Sequence, residues 1–346
     1  MSKTAMTRRG FLGGVAAFGM AAAMRSEARE QPGAAQRGEA ASGRPLLIST
    51  WKQGKPANER AAEVLAAGGS LLDAIEKGIN TAELDPEVLS VGYGARPNED
   101  GVVQLDAIIM DGAAHRAGAV AALEMIPTPI SVARRVLEKT RHTLLAGEGA
   151  LRFAIAEGFE PQQLVTPKSL ELWEKWRQNP NRKGYRRSPG KGARFEPRAI
   201  GAEAADTITM VALDAGGNLG AGGSSSGLEW KISGRVGDVP LPGCGIFLDN
   251  TVGAAGATGN GDEMMKFSTS AIIVERMRAG MNPQAACESV LRWMLETNPD
   301  NKDIEACVYA VNKRGEFGAA SIRPKEFTYA VWMPGMSELR GAKSML

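Results

Sequence analysis

Two histidines, three cysteines and a net charge of +2 are all that this 346-residue chain supplies to the chemistries that depend on such groups. His115 and His142 both fall in the first half with no nucleophile motif beside them, so a Ser-His-Asp arrangement is disfavoured and both read as surface or satisfied core residues. Cys244, Cys287 and Cys307 form an odd set without CxxC spacing, which suggests neither a disulfide framework nor a zinc site. Pairing of Cys287 with Cys307 is one reading, and buried free thiols are the preferred one. Near-neutral charge provides no global field toward nucleic acid or an anionic membrane. Beyond residue 28 no apolar run approaches the ~18 residues a spanning helix needs.

What is present begins with a leader. Thr7-Arg8-Arg9-Gly10-Phe11-Leu12, followed by a mild apolar run through Met24, looks like a twin-arginine export signal that Ser26-Glu27-Ala28 would end. Residues 1–28 are therefore expected to be removed, with a periplasmic or secreted product; a basic tail is the other reading. Residues 29–44, rich in Gly, Ala, Gln and Ser, read as a flexible mature N-terminus.

From Leu46 the composition is globular, at 43% hydrophobic and 23% charged residues. Strands are expected at Leu46–Thr50, Leu105–Met110, Ala119–Leu123, Ile208–Leu213, Leu219–Ser224, Cys307–Val311, Gly318–Ile322 and Phe327–Val331. Helical periodicity covers Pro56–Ala67, Ser70–Leu84, Pro129–Glu138, Gly149–Glu157, Lys266–Ala279 and Pro283–Glu296, with Ser70 and Asp73 forming a capping signature. This alternation predicts a layered α/β or α+β domain. Arg177–Arg198 interrupts it with eight Lys or Arg against one acid and three prolines. Its only aromatics are Tyr185 and Phe195, so a solvated linker, taken as residues 177–200, is favoured over a nucleic-acid-binding segment.

The linker delivers the chain to its most informative stretch, Ala205 to Asp262, where hydroxyls, a cation, an anion and glycines alternate with strand residues. Thr207 opens a strand that a turn at Ala215-Gly216-Gly217-Asn218 returns as a hairpin. A Thr hydroxyl is a poor nucleophile without a base. Lacking a suitable His, it can use its own α-amine, with a pKa of about 8, but only after the bond between Asp206 and Thr207 is cut. Alone, Asp206-Thr207 is an ordinary turn entering a strand. Gly234-Arg235-Val236-Gly237-Asp238 sets a guanidinium and a carboxylate three residues apart, suited to the carboxylate and ammonium of an amino acid, with a salt bridge between the two as the less favoured reading. Thr258-Gly259 offers a hydroxyl and a backbone N–H to one oxygen, an oxyanion-hole arrangement, or else a glycine-rich turn.

These three motifs in this order resemble the glycosylasparaginases, which are N-terminal-nucleophile hydrolases, and the resemblance runs from about Leu46 to Ser321. It implies an α+β, four-layer αββα sandwich made as one chain and cut into an N-terminal part (45–206) and a C-terminal part (207–346) of one domain. Thr207 is then the nucleophile, Arg235 and Asp238 hold the α-carboxylate and α-ammonium of asparagine, and Thr258 and Gly259 form the oxyanion site. Ser225 matches a hydroxyl beside the nucleophile, while Trp51 and Ser90 match positions near the site; Trp51 reads equally well as core. The resemblance further implies hydrolysis of glycosylated asparagine to aspartate and a glycosylamine, no metal or organic cofactor, and a heterodimer of processed chains that itself pairs. An isoaspartyl peptidase or L-asparaginase on the same fold is the alternative, and a non-catalytic periplasmic amino-acid binder a more distant one. Ala205, Thr209 and Ser225 depart from the family's usual His, Gly and Thr.

Overall fold

The computed structural model describes residues 38–39, 43–182, 184–185, 207–324 and 326–346. The expected leader, most of the mature N-terminus, most of the basic linker and Asp206 lie outside the described residues. The elements of the first half are β1 (Gly38–Glu39), β2 (Leu46–Thr50), α1 (Gly54–Ala66), α2 (Leu71–Glu83), β3 (Leu105–Asp111), β4 (Arg116–Leu123), α3 (Pro129–Lys139), β5 (Leu144–Ala146), α4 (Gly147–Ala156) and α5 (Pro167–Gln178). The second half contains β6 (Ile208–Leu213), β7 (Leu219–Ser225), β8 (Ile246–Asp249), β9 (Gly253–Gly259), α6 (Gly261–Phe267), α7 (Thr269–Arg278), α8 (Pro283–Thr297), β10 (Ala306–Asn312), β11 (Glu316–Ser321), β12 (Thr328–Met333), β13 (Met336–Gly341) and β14 (Lys343–Ser344).

Local chemistry sets several boundaries. The Ser70 hydroxyl accepts from the Asp73 amide while the Asp73 carboxylate accepts from the Ser70 amide, so both donors at the start of α2 are satisfied as its capping signature predicts. Three expectations need correction. The helix expected over Lys266–Ala279 is two, because Ser268 adopts a left-handed conformation (φ 45°) between α6 and α7. α5 was not expected, and Arg177 and Gln178, placed at the head of the linker, form its last turn; Thr166 caps it and Pro167 opens it. The glycine-rich turn that was the other reading of Thr258-Gly259 does not form, because Gly253–Gly259, to which no element was assigned, is a strand. Its small residues allow close approach rather than reversal, and β10 pairs along its whole length.

Two sheets result. One has strand order β13-β12-β2-β6-β7-β3-β4-β5, and the other β1-β11-β10-β9-β8 with β14 added beside β11. Alternate residues of each strand go to opposite faces. Ile208, Met210 and Ala212 of β6 pack beneath α1, α2 and α3, whereas Val211 and Leu213 enter the seam between the sheets. On the second sheet Ala255 and Ala257 pack against α7 and α8, and Ala254 faces the seam with Tyr309 and Phe317. Helix, sheet, sheet and helix make the four expected layers. Cys244, Cys287 and Cys307 are buried and not joined in disulfides, and His115 and His142 are exposed. Among the described residues no helix is long and apolar enough to cross a membrane.

The seam is tightest where Tyr309 crosses Gly256, its partner on β9. A Cβ at position 256 would sit 2.5 Å from the Tyr309 ring and hydroxyl, and Tyr309 is fully buried. Overpacking of this kind costs ~1–3 kcal/mol. Gly256→Ala should therefore lower the melting temperature by several degrees in a calorimetric scan, and an unchanged value would contradict the tight seam.

Candidate active site

Four neighbouring strands of the larger sheet end side by side, and their last or first inward-facing residues are polar. Thr50 closes β2, Thr207 precedes β6, Ser225 closes β7 and Asp106 lies near the start of β3. All four are buried. The Thr50 hydroxyl donates to the Thr207 carbonyl at 2.7 Å and accepts from the Thr209 amide at 3.0 Å, which fixes the backbone on both sides of Ile208. Thr207 Oγ1 donates to Ser225 Oγ at 2.9 Å, and Ser225 Oγ also accepts from the Gly227 amide at 2.9 Å. The opposing sheet contributes Thr258 at the end of β9. Trp51, at φ 60°, turns its ring edge-on to Phe327, and its Nε1 donates to Thr258 Oγ1 at 3.1 Å. Trp51 therefore belongs to the site as well as to the packing. Because the Thr258 oxygen accepts from the indole, its own proton remains available to another acceptor.

The second cluster joins the Arg235 loop to the start of α6. Arg235 Nε and Nη2 contact the Asp262 carboxylate at 3.3 and 3.1 Å, so the cation pairs with Asp262, and the less favoured reading of a salt bridge to Asp238 is not what forms. Asp238 is fully enclosed. Its Oδ2 has no hydrogen-bond partner among the described residues, and burial pushes its carboxyl up to about 6 against the pull of Arg235. Gly261 lets the clusters meet, since a Cβ there would lie 2.5 Å from Asp238 Oδ1 and 3.2 Å from Arg235 Nη2. Gly259, at φ 125°, ends β9 two residues before it. Ser90 contributes its carbonyl, which accepts from the Ser226 amide at 2.7 Å.

Sequence reasoning missed the scaffold of the Arg235 loop. Gln104 Oε1 accepts from the Gly234 amide at 2.9 Å and Asp106 Oδ2 from the Gly237 amide at 3.4 Å, so both ends of the motif hang on β3. Asp106 Oδ1 meanwhile accepts from the Ala122 amide at 2.8 Å. Lys231, buried, donates to the Gln104 carbonyl at 3.1 Å; burial pushes its ammonium down while Asp106 supports it. The available signal was two polar residues, Gln104 and Asp106, spaced by two at the head of an apolar strand, where period-2 alternation sends both to one face. Thr50, the hinge of the site, carried no signal. Among the described residues no cluster of His, Cys, Asp and Glu is arranged to hold a metal ion.

A four-layer αββα sandwich with a buried Thr at the mouth of its seam defines an N-terminal-nucleophile-type hydrolase fold. The chain belongs to the asparaginase family, whose model, described as "Asparaginase", matches residues 46–337. It is 43% identical over 292 residues to the N(4)-(beta-N-acetylglucosaminyl)-L-asparaginase of Elizabethkingia miricola, covering 83% of this chain and 81% of that one. It is 39% identical over 305 residues to the protein of the same name from Rattus norvegicus, covering 84% and 87%. A putative N(4)-(beta-N-acetylglucosaminyl)-L-asparaginase from Drosophila melanogaster is 41% identical over 320 residues, covering 84% and 79%.

Asp238 provides a pH test of this geometry. Its folded value of about 6 lies above the ordinary 3.8, so the stability it contributes is present below 3.8 and is lost as pH rises through about 6. Ionising Asp238 in the folded chain thus costs up to about 3 kcal/mol. Asp238→Asn should melt several degrees above the unsubstituted protein at pH 7.5 and lose most of that advantage near pH 4; equal offsets at both pH values would contradict the burial argument.

Proposed function

We propose that the chain is an autoproteolytically activated amidohydrolase that cleaves the glycosylamide bond of N-glycosylated asparagine, giving aspartate and a glycosylamine. The observation that carries this reading is the Thr207 hydroxyl seated on Ser225, near a largely covered guanidinium and a buried carboxylate, one oxygen of which has no partner among the described residues. The names of the similar proteins support the choice of substrate.

Activation begins when the Thr207 hydroxyl attacks the Asp206 carbonyl. The acyl group moves from nitrogen to oxygen, and water hydrolyses the ester, leaving Thr207 with a free α-amine. In turnover that amine accepts the hydroxyl proton as Oγ1 attacks the side-chain amide carbon of the substrate. Arg235 holds the substrate α-carboxylate and Asp238 its α-ammonium, which gives Asp238 Oδ2 the partner it lacks. The oxyanion is met by the Thr258 hydroxyl and the Gly259 N–H; losing one such donor typically costs ~10²–10³ in rate. The amine then delivers its proton to the leaving glycosylamine nitrogen, and water releases aspartate from the Thr207 ester. Ser225, which holds the hydroxyl in the uncut chain, orients the amine once it is free. The twin-arginine leader would make this a periplasmic or secreted enzyme, and the processed pair would itself dimerise.

The chain fits an isoaspartyl peptidase or L-asparaginase less well, since Asp206 before the Thr and Asn260-Gly261-Asp262 after the oxyanion pair lean toward the glycosylated substrate. Comparing aspartate release from glycosylasparagine, β-aspartyl dipeptides and asparagine tests the assignment, and preference for the dipeptide overturns it. Thr207→Ala should run as one band on a denaturing gel and be inactive, whereas the unsubstituted chain resolves into two pieces with a Thr-Ile-Thr-Met start on the second. Arg235→Lys should raise KM by roughly tenfold or more, because a point charge cannot replace a bidentate fork, with kcat changed less.

A further inference from the structure

One buried acid takes no part in this chemistry and yet underlies the supports of two of the three serines in the Ser224–Ser226 run. Glu83, the last residue of α2, has no exposed surface. Its Oε1 accepts from Ser224 Oγ at 2.8 Å and from the Ile130 amide at 3.0 Å, and its Oε2 accepts from Asn80 Nδ2 at 2.8 Å. Ser224 and Ser225 face opposite sides of β7, so the Glu83 carboxylate grips the helix-side face of the strand end whose seam-side face holds the Thr207 hydroxyl. The same residue works through its backbone. The Glu83 carbonyl accepts from the Tyr93 amide at 2.7 Å, and Gly92 lies so close that a Cβ there would be 2.0 Å from that oxygen. This seats the 90–93 loop on the end of α2, and from that loop the Ser90 carbonyl takes the Ser226 amide at 2.7 Å. Three consecutive serines are thus held by Glu83, by Thr207 with Gly227, and by a loop that itself rests on Glu83.

We propose that Glu83 is a positioning residue for the reaction: through Ser224 on one side and the Ser90 loop on the other, it sets where the Ser225 hydroxyl meets Thr207. Burying a carboxyl without a cationic partner is costly, and burial pushes this one up to about 7 even though three donors pull it back. The like charge facing it is Glu76 on its own helix, which Arg134 of α3 neutralises at 2.7 Å. An apolar residue of similar size would fill the space without that cost but could not hold Ser224. The loop of Arg235 and Asp238 is held through its Gly234 and Gly237 amides by the Gln104 and Asp106 side chains, which share no hydrogen bond with Glu83, so the two sets of supports can be perturbed separately.

The inference rests on the reading of Thr207 as nucleophile and is tested alongside it. Full-length protein carrying Glu83→Ala, Glu83→Gln or Ser224→Ala is compared with the unsubstituted chain and with Thr207→Ala, measuring the rate of the internal cut and kcat and KM for aspartate release from glycosylasparagine. Displacement of a reacting group by about 1 Å costs roughly 10²-fold. Glu83→Ala should therefore lower kcat by roughly 10- to 100-fold with KM within about twofold, and slow the cut in parallel. Glu83→Gln, which keeps an acceptor for Ser224 and Ile130, should recover most of the loss. Ser224→Ala, a small change that leaves the core filled, should reproduce the kcat defect in milder form. If Glu83→Ala or Ser224→Ala changes only the melting temperature, or raises KM at unchanged kcat, the positioning role is overturned while the nucleophile reading stands. If the unsubstituted chain releases no aspartate, or Thr207→Ala remains active, both fall together.

Discussion

A strand sends alternate side chains to opposite faces, and at the end of a strand that alternation decides whether a polar residue meets solvent, a helix or the space between two sheets. Here Thr50, Thr207, Ser225 and Asp106 all lie on the seam-side parity of four adjacent strands, and Thr258 does so from the opposing sheet. Shifting any of these strands by one residue would turn its polar group toward the helices. Register is held tightly because both faces of the central strands are apolar and buried. The packing that stabilises the sandwich is therefore the same packing that aims the hydroxyls, and the Thr50 bridge across Ile208 locks the result at the position that matters most.

Charge is arranged on a different principle. Arg235 is largely covered and Asp262 considerably less so. Their contact resembles a surface ion pair, worth on the order of 0–1 kcal/mol, and yields readily to a competing carboxylate. Asp238 is buried with one oxygen unmatched among the described residues, and a cationic ligand group there would offset the desolvation cost of its charge. Both features favour an occupant carrying a carboxylate and an ammonium together. Gln104 and Asp106 make this work by hanging the motif's amides on a rigid strand, which keeps the two charges from collapsing onto each other.

The departures at Ala205, Thr209 and Ser225 have unequal consequences. Thr209 joins the scaffold through its amide, which any residue supplies. Ser225 still accepts the nucleophile's hydroxyl, so loss of the methyl group that a Thr would carry leaves the polar contact intact. Position 205 lies outside the described residues.

Much of the architecture was legible in the residues themselves. The short apolar runs of β2, β3, β6 and β10, the capping box of α2 and the order of the three motifs were all readable, because these depend on local chemistry along a few residues. Elements whose residues carry no such signature were not: β9 is all Gly, Ala and Thr, which announces no strand until β10 is laid beside it, and the Ser268 break between α6 and α7 is a matter of backbone conformation that Ser does not announce. Partnerships were least legible. The Arg235 guanidinium reaches Asp262 at the start of α6, a contact that no spacing announced, and the supports of the site, Thr50, Gln104, Asp106 and Glu83, come from segments more than a hundred residues away from Thr207 or its neighbours. The sequence alone determined which chemical groups are present and which elements could form. Only the tertiary structure decided which groups meet, because hydrogen bonds and burial act over ångströms in space and are indifferent to distance along the chain.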